Sequence, residues 1–149
     1  MLPLGVKIRL LRPEASVPRY ATADAAACDL TAAIPAPLAV PAHGSLSVPC
    51  GIAVSMEESG YFALICARSG LAFRHGISLV NGVGVIDADY RGEIAVGLRN
   101  DSDEDYLVQP GERIAQMLFL PVRAASFTVV DTLDETARGE GGFGSSGRL

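Results

Sequence analysis

A chain of 149 residues is long enough for one hydrophobic core and too short for two independent ones, so a single domain is expected. The formal net charge of −5 argues against the broad cationic surface that grips duplex nucleic acid, while leaving room for a small phosphorylated ligand in a locally positive pocket. Lys7 is the only lysine, beside eleven arginines, which excludes a P-loop lysine or a Schiff base and leaves planar guanidinium chemistry available.

Along the chain, residues 1–11 hold no apolar run long enough for a signal peptide, and no stretch approaches the roughly 20 apolar residues that cross a bilayer; a cytoplasmic protein with no membrane partner is expected. Short β-rich runs follow one another, each ended by Gly, Pro, Asn or Asp: residues 6–11, 29–33, 45–54, 61–67, 77–86, 93–99, 114–121 and 127–131. Strands at such spacing predict a sandwich or barrel. Sixteen glycines and nine prolines leave no room for a long amphipathic helix, and only residues 69–74 can hold a helical turn. Cys28, Cys50 and Cys66 are odd in number, far apart and without a C-x-x-C pair, so they read as buried, reduced thiols. His43 and His75 lack a partner at metal-ligand spacing and read as structural.

Several segments can carry chemistry. Residues 67–72 read Ala-Arg-Ser-Gly-Leu-Ala, where Arg68, the Ser69 hydroxyl and free backbone N–H groups can cradle phosphate oxygens. The alternative is Ser69 capping a helix start. Residues 81–93 read Asn-Gly-Val-Gly-Val-Ile-Asp-Ala-Asp-Tyr-Arg-Gly-Glu. Asn81-Gly82 is a hairpin signal, and Asp87 and Asp89 would point to one face of an extended chain. The alternative is a strand ending in a polar turn whose aspartates cap backbone amides. Residues 100–105 are rich in acidic side chains but lack the Gly and distal Glu of an EF-hand loop, so a solvated turn is expected. Further on, Gln116 stands in an apolar run and must either satisfy backbone groups or reach a ligand. Residues 138–148 are mostly Gly, Ser and Arg around Phe143. Such a stretch is a disordered tail when alone, or folds over a nucleotide with Phe143 on the base and Arg138, Ser145 and Ser146 on the phosphates.

Together with Ala-Ala-Cys-Asp-Leu-Thr-Ala-Ala at residues 26–33, these segments stand in the order and spacing of the five motifs of trimeric dUTPases, and the chain resembles that family from residue 6 to 147. Departures are Ala27 and Cys28, where the first motif has Gly and a larger residue, and Ala67, where the second has Pro; neither removes a reacting group. The resemblance implies an all-β, jelly-roll-like distorted β-barrel over residues 1–136 with a flexible C-terminal arm over 137–149. It also implies a homotrimer whose sites draw on all three chains, the arm closing over a neighbour's pocket, and hydrolysis of dUTP to dUMP and pyrophosphate. Asp87 would be the base that activates water for attack on the α-phosphorus. Asn81 and the backbone of Val83, Gly84 and Val85 would bind uracil, with Tyr90 on the deoxyribose. Arg68, Ser69, Gly70, Gln116, Arg138, Ser145 and Ser146 would contact the phosphates, Gly144 would belong to the same closing arm, and Phe143 would stack on the base. Mg2+ would be held by phosphate oxygens and waters, with Asp29 in its outer shell. Rival readings are a dCTP deaminase-type relative, which needs a deaminating carboxylate and an Arg in place of the arrangement at residues 87–90, and a catalytically silent dUTP-sensing module on the same fold.

Overall fold

The longest strand organises the molecule. β5 (Ser45–Met56) pairs antiparallel with β1 (Val6–Leu10) along one edge and β9 (Ile94–Asn100) along the other, and β7 (Ile77–Leu79) completes a four-stranded sheet, β1-β5-β9-β7. β2 (Arg19–Tyr20), β3 (Cys28–Thr31), β6 (Tyr61–Cys66), β8 (Gly84–Ile86) and β11 (Arg113–Pro121) form a second sheet in the order β2-β3-β11-β6-β8. β4 (Leu38–Val40) and β10 (Tyr106–Val108) pair as a separate ribbon. Alternating side chains of both large sheets meet in one core, with Leu30, Ile65 and Met117 from one sheet and Val48, Ile52, Ile94 and Leu98 from the other. A computed structural model describes residues 3–142 of this all-β, jelly-roll-like fold.

A bulge in β5 ties the two sheets together. Proline supplies no ladder donor and is confined to edges and irregularities, and the register of β5 against β9 shifts between Pro49 and Ile52. The carbonyls freed there accept from outside the sheet, Pro49 from Ala33 N–H at 2.8 Å and Gly51 from Leu11 N–H at 2.7 Å. Gly51 sits at φ 67 with Ala15 and Ala33 packed against it.

Several expectations need adjustment. The apolar run 77–86 is two strands in different sheets: the chain turns at Gly82 (φ 72), whose N–H donates to Leu79 O, and β8 then pairs with β6 instead of β7. Asn81-Gly82 therefore makes a tight turn but no hairpin. Residues 127–131 form no strand. No ladder within the described chain receives them, and Phe127 and Val129 are 93% and 99% exposed. The single helix among the described residues, α1 (Ser69–His75), has Arg68 at its N-cap position with no side-chain cap, so Ser69 does not cap it.

The expectations of free thiols and of a solvated acidic turn hold. All three cysteines are free; Cys28 and Cys50 are buried and Cys66 is half-buried. Asn100, the buried polar residue of the core, ties down the acidic run: its amide donates to Val40 O and Glu104 O, and its Oδ1 accepts from the Ser102 N–H and hydroxyl. Among the described residues, no group of three His, Cys, Asp or Glu side chains is placed to hold a metal ion. No described helix is long and apolar enough to cross a membrane. His43 pairs with Asp103 at 2.9 Å, and the His75 ring packs on Tyr106 at 5.1 Å.

Candidate active site

Three adjacent strands bring three distant stretches of sequence into one row. Gln116 of β11 is paired with Asp29 of β3 on one side and Cys66 of β6 on the other, and directly opposed residues of antiparallel strands share a face. Their neighbours Cys28, Ile65 and Met117 are buried in the core, so Asp29, Gln116 and Cys66 line the outer face.

Two arginines join that row. Arg113 precedes Gln116 by an odd number of residues and would face the core if β11 were regular. The register against β3 instead shifts between Arg113 and Ala115. This extra residue leaves Ile114 and Ala115 both buried and restores Arg113 to the outer face. Its Nη1 lies 3.1 Å from Asp29 Oδ2. Arg68, extended just beyond β6, places Nε 3.0 Å from Asp29 Oδ1 and donates from Nη1 to Arg113 O at 3.0 Å. Gln116 Nε2 donates to Ala67 O at 2.9 Å, holding the backbone that leads into Arg68.

These side chains line a cavity of about 520 Å3, with Ser69 and Gly70 at its exposed mouth. One carboxylate between two guanidinium groups leaves the pocket floor net positive, the sign a phosphorylated ligand requires. Space in front of Gly70 is open, since a Cβ there would meet nothing within 4 Å.

The segment carrying Asp87 lies elsewhere on the chain. Asp87 and Asp89 belong to a turn instead of an extended strand, closed by Tyr90 N–H to Asp87 O at 3.1 Å, so the common-face argument does not apply to them. Arg91 Nη1 staples the turn by donating to Ala88 O at 2.7 Å and Tyr90 O at 3.0 Å. The Tyr90 hydroxyl donates to Glu93 O at 3.1 Å. Asn81, Val83 and Val85 are exposed, and Gly84 approaches Ile65 so closely that a Cβ would stand 3.2 Å from that residue's own Cβ.

Strand pairing measures how far apart the two clusters are. Ile86 is paired with Ala63, so Asp87 stands near the level of Phe62. Arg68 lies further along the same strand and its extended continuation, from position 62 to 68, roughly 20 Å away at ~3.3 Å per residue. Within one chain the pocket and Asp87 are therefore separate. Arg138 is exposed and donates from Nε to Gly141 O at 2.7 Å; Phe143, Gly144, Ser145 and Ser146 lie outside the described residues.

Sequence reasoning did not single out Arg113, because a bulge changes face parity without leaving a sign in hydrophobic periodicity. It also passed over Arg12, which reaches Glu93 with Nε at 2.6 Å and Nη2 at 3.0 Å across 81 positions of sequence.

A family model for dUTPase matches residues 13–147. A deoxyuridine 5'-triphosphate nucleotidohydrolase of Desulfitobacterium hafniense is 46% identical over 149 residues, covering 99% of each chain. Another from Aeromonas hydrophila subsp. hydrophila is 47% identical over 135 residues, 91% of this chain and 89% of its own. Among solved structures, Staphylococcus bacteriophage 80alpha dUTPase with dUpNHpp superposes with a TM-score of 0.83 at 25% identity, over 96% of this chain and 98% of that one. A mutant dUTPase from phage phi11 of S. aureus, described with a structural Mg(II) ion, shares the fold at a TM-score of 0.79 and 19% identity, over 88% of this chain and 99% of its own. With the family match running over most of its length and relatives this similar from end to end, the chain belongs to the dUTPase family.

Proposed function

We propose that this protein hydrolyses dUTP to dUMP and pyrophosphate, in sites shared between the subunits of a homotrimer. The separation of roughly 20 Å along the β6–β8 ladder carries the shared-site reading. A phosphate cradle and a base that lie so far apart in one chain can meet on one nucleotide only when a second chain supplies one of them.

In such a site Arg68, Ser69, Gly70 and Gln116 hold the phosphate chain. The Asp87 carboxylate of a neighbouring chain accepts a proton from a water, whose oxygen attacks the α-phosphorus as pyrophosphate leaves. Asn81 and the backbone of Val83, Gly84 and Val85 read uracil. Uracil and cytosine differ by an acceptor-to-donor exchange at one ring position, and a site built for one leaves buried polar groups unpaired with the other, a penalty of up to ~10⁴-fold. The Tyr90 ring packs on the deoxyribose, where a 2′-hydroxyl has no room. The arm brings Arg138, Gly144, Ser145 and Ser146 to the phosphates and Phe143 to the base, a stacking contact worth ~1–3 kcal/mol.

The donor set fits magnesium only as an ion that arrives with the nucleotide. Both Asp29 oxygens are taken by guanidinium groups, yet a carboxylate has further lone pairs, so Asp29 can reach the ion through water while phosphate oxygens hold it. When bound, the ion neutralises phosphate charge that a singly positive pocket floor leaves uncompensated.

Pyrophosphate release from dUTP, dCTP, dTTP and UTP, with and without magnesium, tests this reading. Turnover of dUTP alone is expected. Ammonia from dCTP would point to a deaminase, and dUTP binding without turnover to a sensing module.

A further inference from the structure

The proposed discrimination between deoxyribose and ribose rests on where the Tyr90 ring stands, and two features outside the reacting groups hold it there. The first is Gly92. It is not among the residues with positive φ, so no backbone conformation demands a glycine. Space does: a Cβ at Gly92 would come closer than 3.0 Å to the hydroxyl oxygen, Cζ and Cε2 of Tyr90. The ring lies directly on the Gly92 backbone. Since the clashing atoms are the far end of a side chain with two rotatable bonds, an added methyl would displace the ring and leave the chain fold in place.

The second feature is the anchor of the segment that the Tyr90 hydroxyl grips. That hydroxyl donates to Glu93 O, and the Glu93 carboxylate is held by the Arg12 fork. Hydrogen bonding from Arg12 keeps the Glu93 carboxyl below the usual carboxylate range, so the pair stays charged at neutral pH. Ile94, next in sequence, is locked in the core. The carbonyl that receives the Tyr90 hydroxyl is thus fixed from two sides.

We infer that Gly92, backed by the Arg12–Glu93 pair, sets the position of the Tyr90 ring and thereby the selectivity of the site for deoxyribose over ribose. This rests on the proposed role of Tyr90, and Gly92, Arg12 and Glu93 act on it as positioning residues.

The test compares kcat/KM for dUTP and UTP in wild type, Gly92→Ala, Arg12→Ala, Arg12→Lys and Tyr90→Ala, with thermal unfolding of each. Gly92→Ala is expected to raise the UTP-to-dUTP ratio roughly tenfold, the scale on which a misplaced packing surface alters discrimination, while unfolding stays cooperative. Arg12→Ala moves the ratio in the same direction, and Arg12→Lys, which keeps the charge without the fork, moves it less. A merely structural role would lower both activities together and leave the ratio alone. If Tyr90→Ala relaxes selectivity while Gly92→Ala and Arg12→Ala keep the wild-type ratio, the inference is wrong and the role of Tyr90 stands. If Tyr90→Ala leaves the ratio unchanged, the role of Tyr90 falls and the inference falls with it. Should Gly92→Ala fail to fold, the Arg12 pair of variants decides.

Discussion

An arginine that waits for a ligand on its own samples many rotamers, and binding must then freeze roughly 2 kcal/mol of side-chain entropy. Arg68 is spared most of that. Asp29 takes its Nε and Arg113 O takes its Nη1, so the guanidinium is oriented before any phosphate arrives. Asp29 itself is set by Arg113 on its far oxygen. The residue best read as a metal neighbour from sequence thus has a second task, as the hinge pin of two cations. Asp29→Asn keeps the shape and removes the charge that pairs both guanidinium groups. Its kcat/KM for dUTP is expected to fall on the order of 10²-fold, the cost of small misplacements in a reacting site, with little change in melting temperature because the pairs are partly solvated. Full activity in that variant would show that Arg68 orients itself without help.

At the level of strands, irregularities do the positioning. The bulge in β11 turns Arg113 outward, and the bulge in β5 lends its carbonyls to the N-terminal segment and to Ala33. Gly51 is the pivot of the second, at φ 67 with the Ala15 and Ala33 methyls each 2.7 Å from where its Cβ would stand. Gly51→Ala is expected to destabilise the fold by about 2–4 kcal/mol, combining left-handed strain with overpacking. Urea unfolding would show it as a lowered midpoint at an unchanged m-value. These irregularities also mark where sequence reading stops. β3, β5, β6, β9 and β11 were legible because β-branched and apolar runs alternate between Gly and Pro boundaries. β2, β4 and β10, of two or three residues each, are too short for periodicity to register. The run 77–86 looked like one strand because its residues are apolar throughout, and local pattern does not say which sheet a strand joins. Arg68 and Gln116 were singled out from their own segments and Asp29 from the family pattern, but their assembly into one row follows from register, which no single segment encodes.

Within a single chain the pocket and the proposed base stay apart. Phe127, Val129 and Leu133 stand exposed on a segment without a ladder partner among the described residues. The pocket around Arg68 lacks the base that the proposed reaction needs. The proposed sharing of sites between copies would supply that base, and its consequence for catalysis is quantitative. A chain carrying Asp87→Asn retains an intact Arg68 cradle, and one carrying Arg68→Ala retains an intact Asp87. Each variant alone is expected to be nearly inactive, because every site includes the damaged group. When equal amounts are unfolded together and refolded, a site that takes Asp87 from one chain and Arg68 from another finds both intact in about a quarter of random assemblies. Turnover of dUTP should therefore return to about a quarter of wild type. Were each site built from one chain, no assortment of subunits could reunite the two groups, and the mixture would stay at the level of its parents.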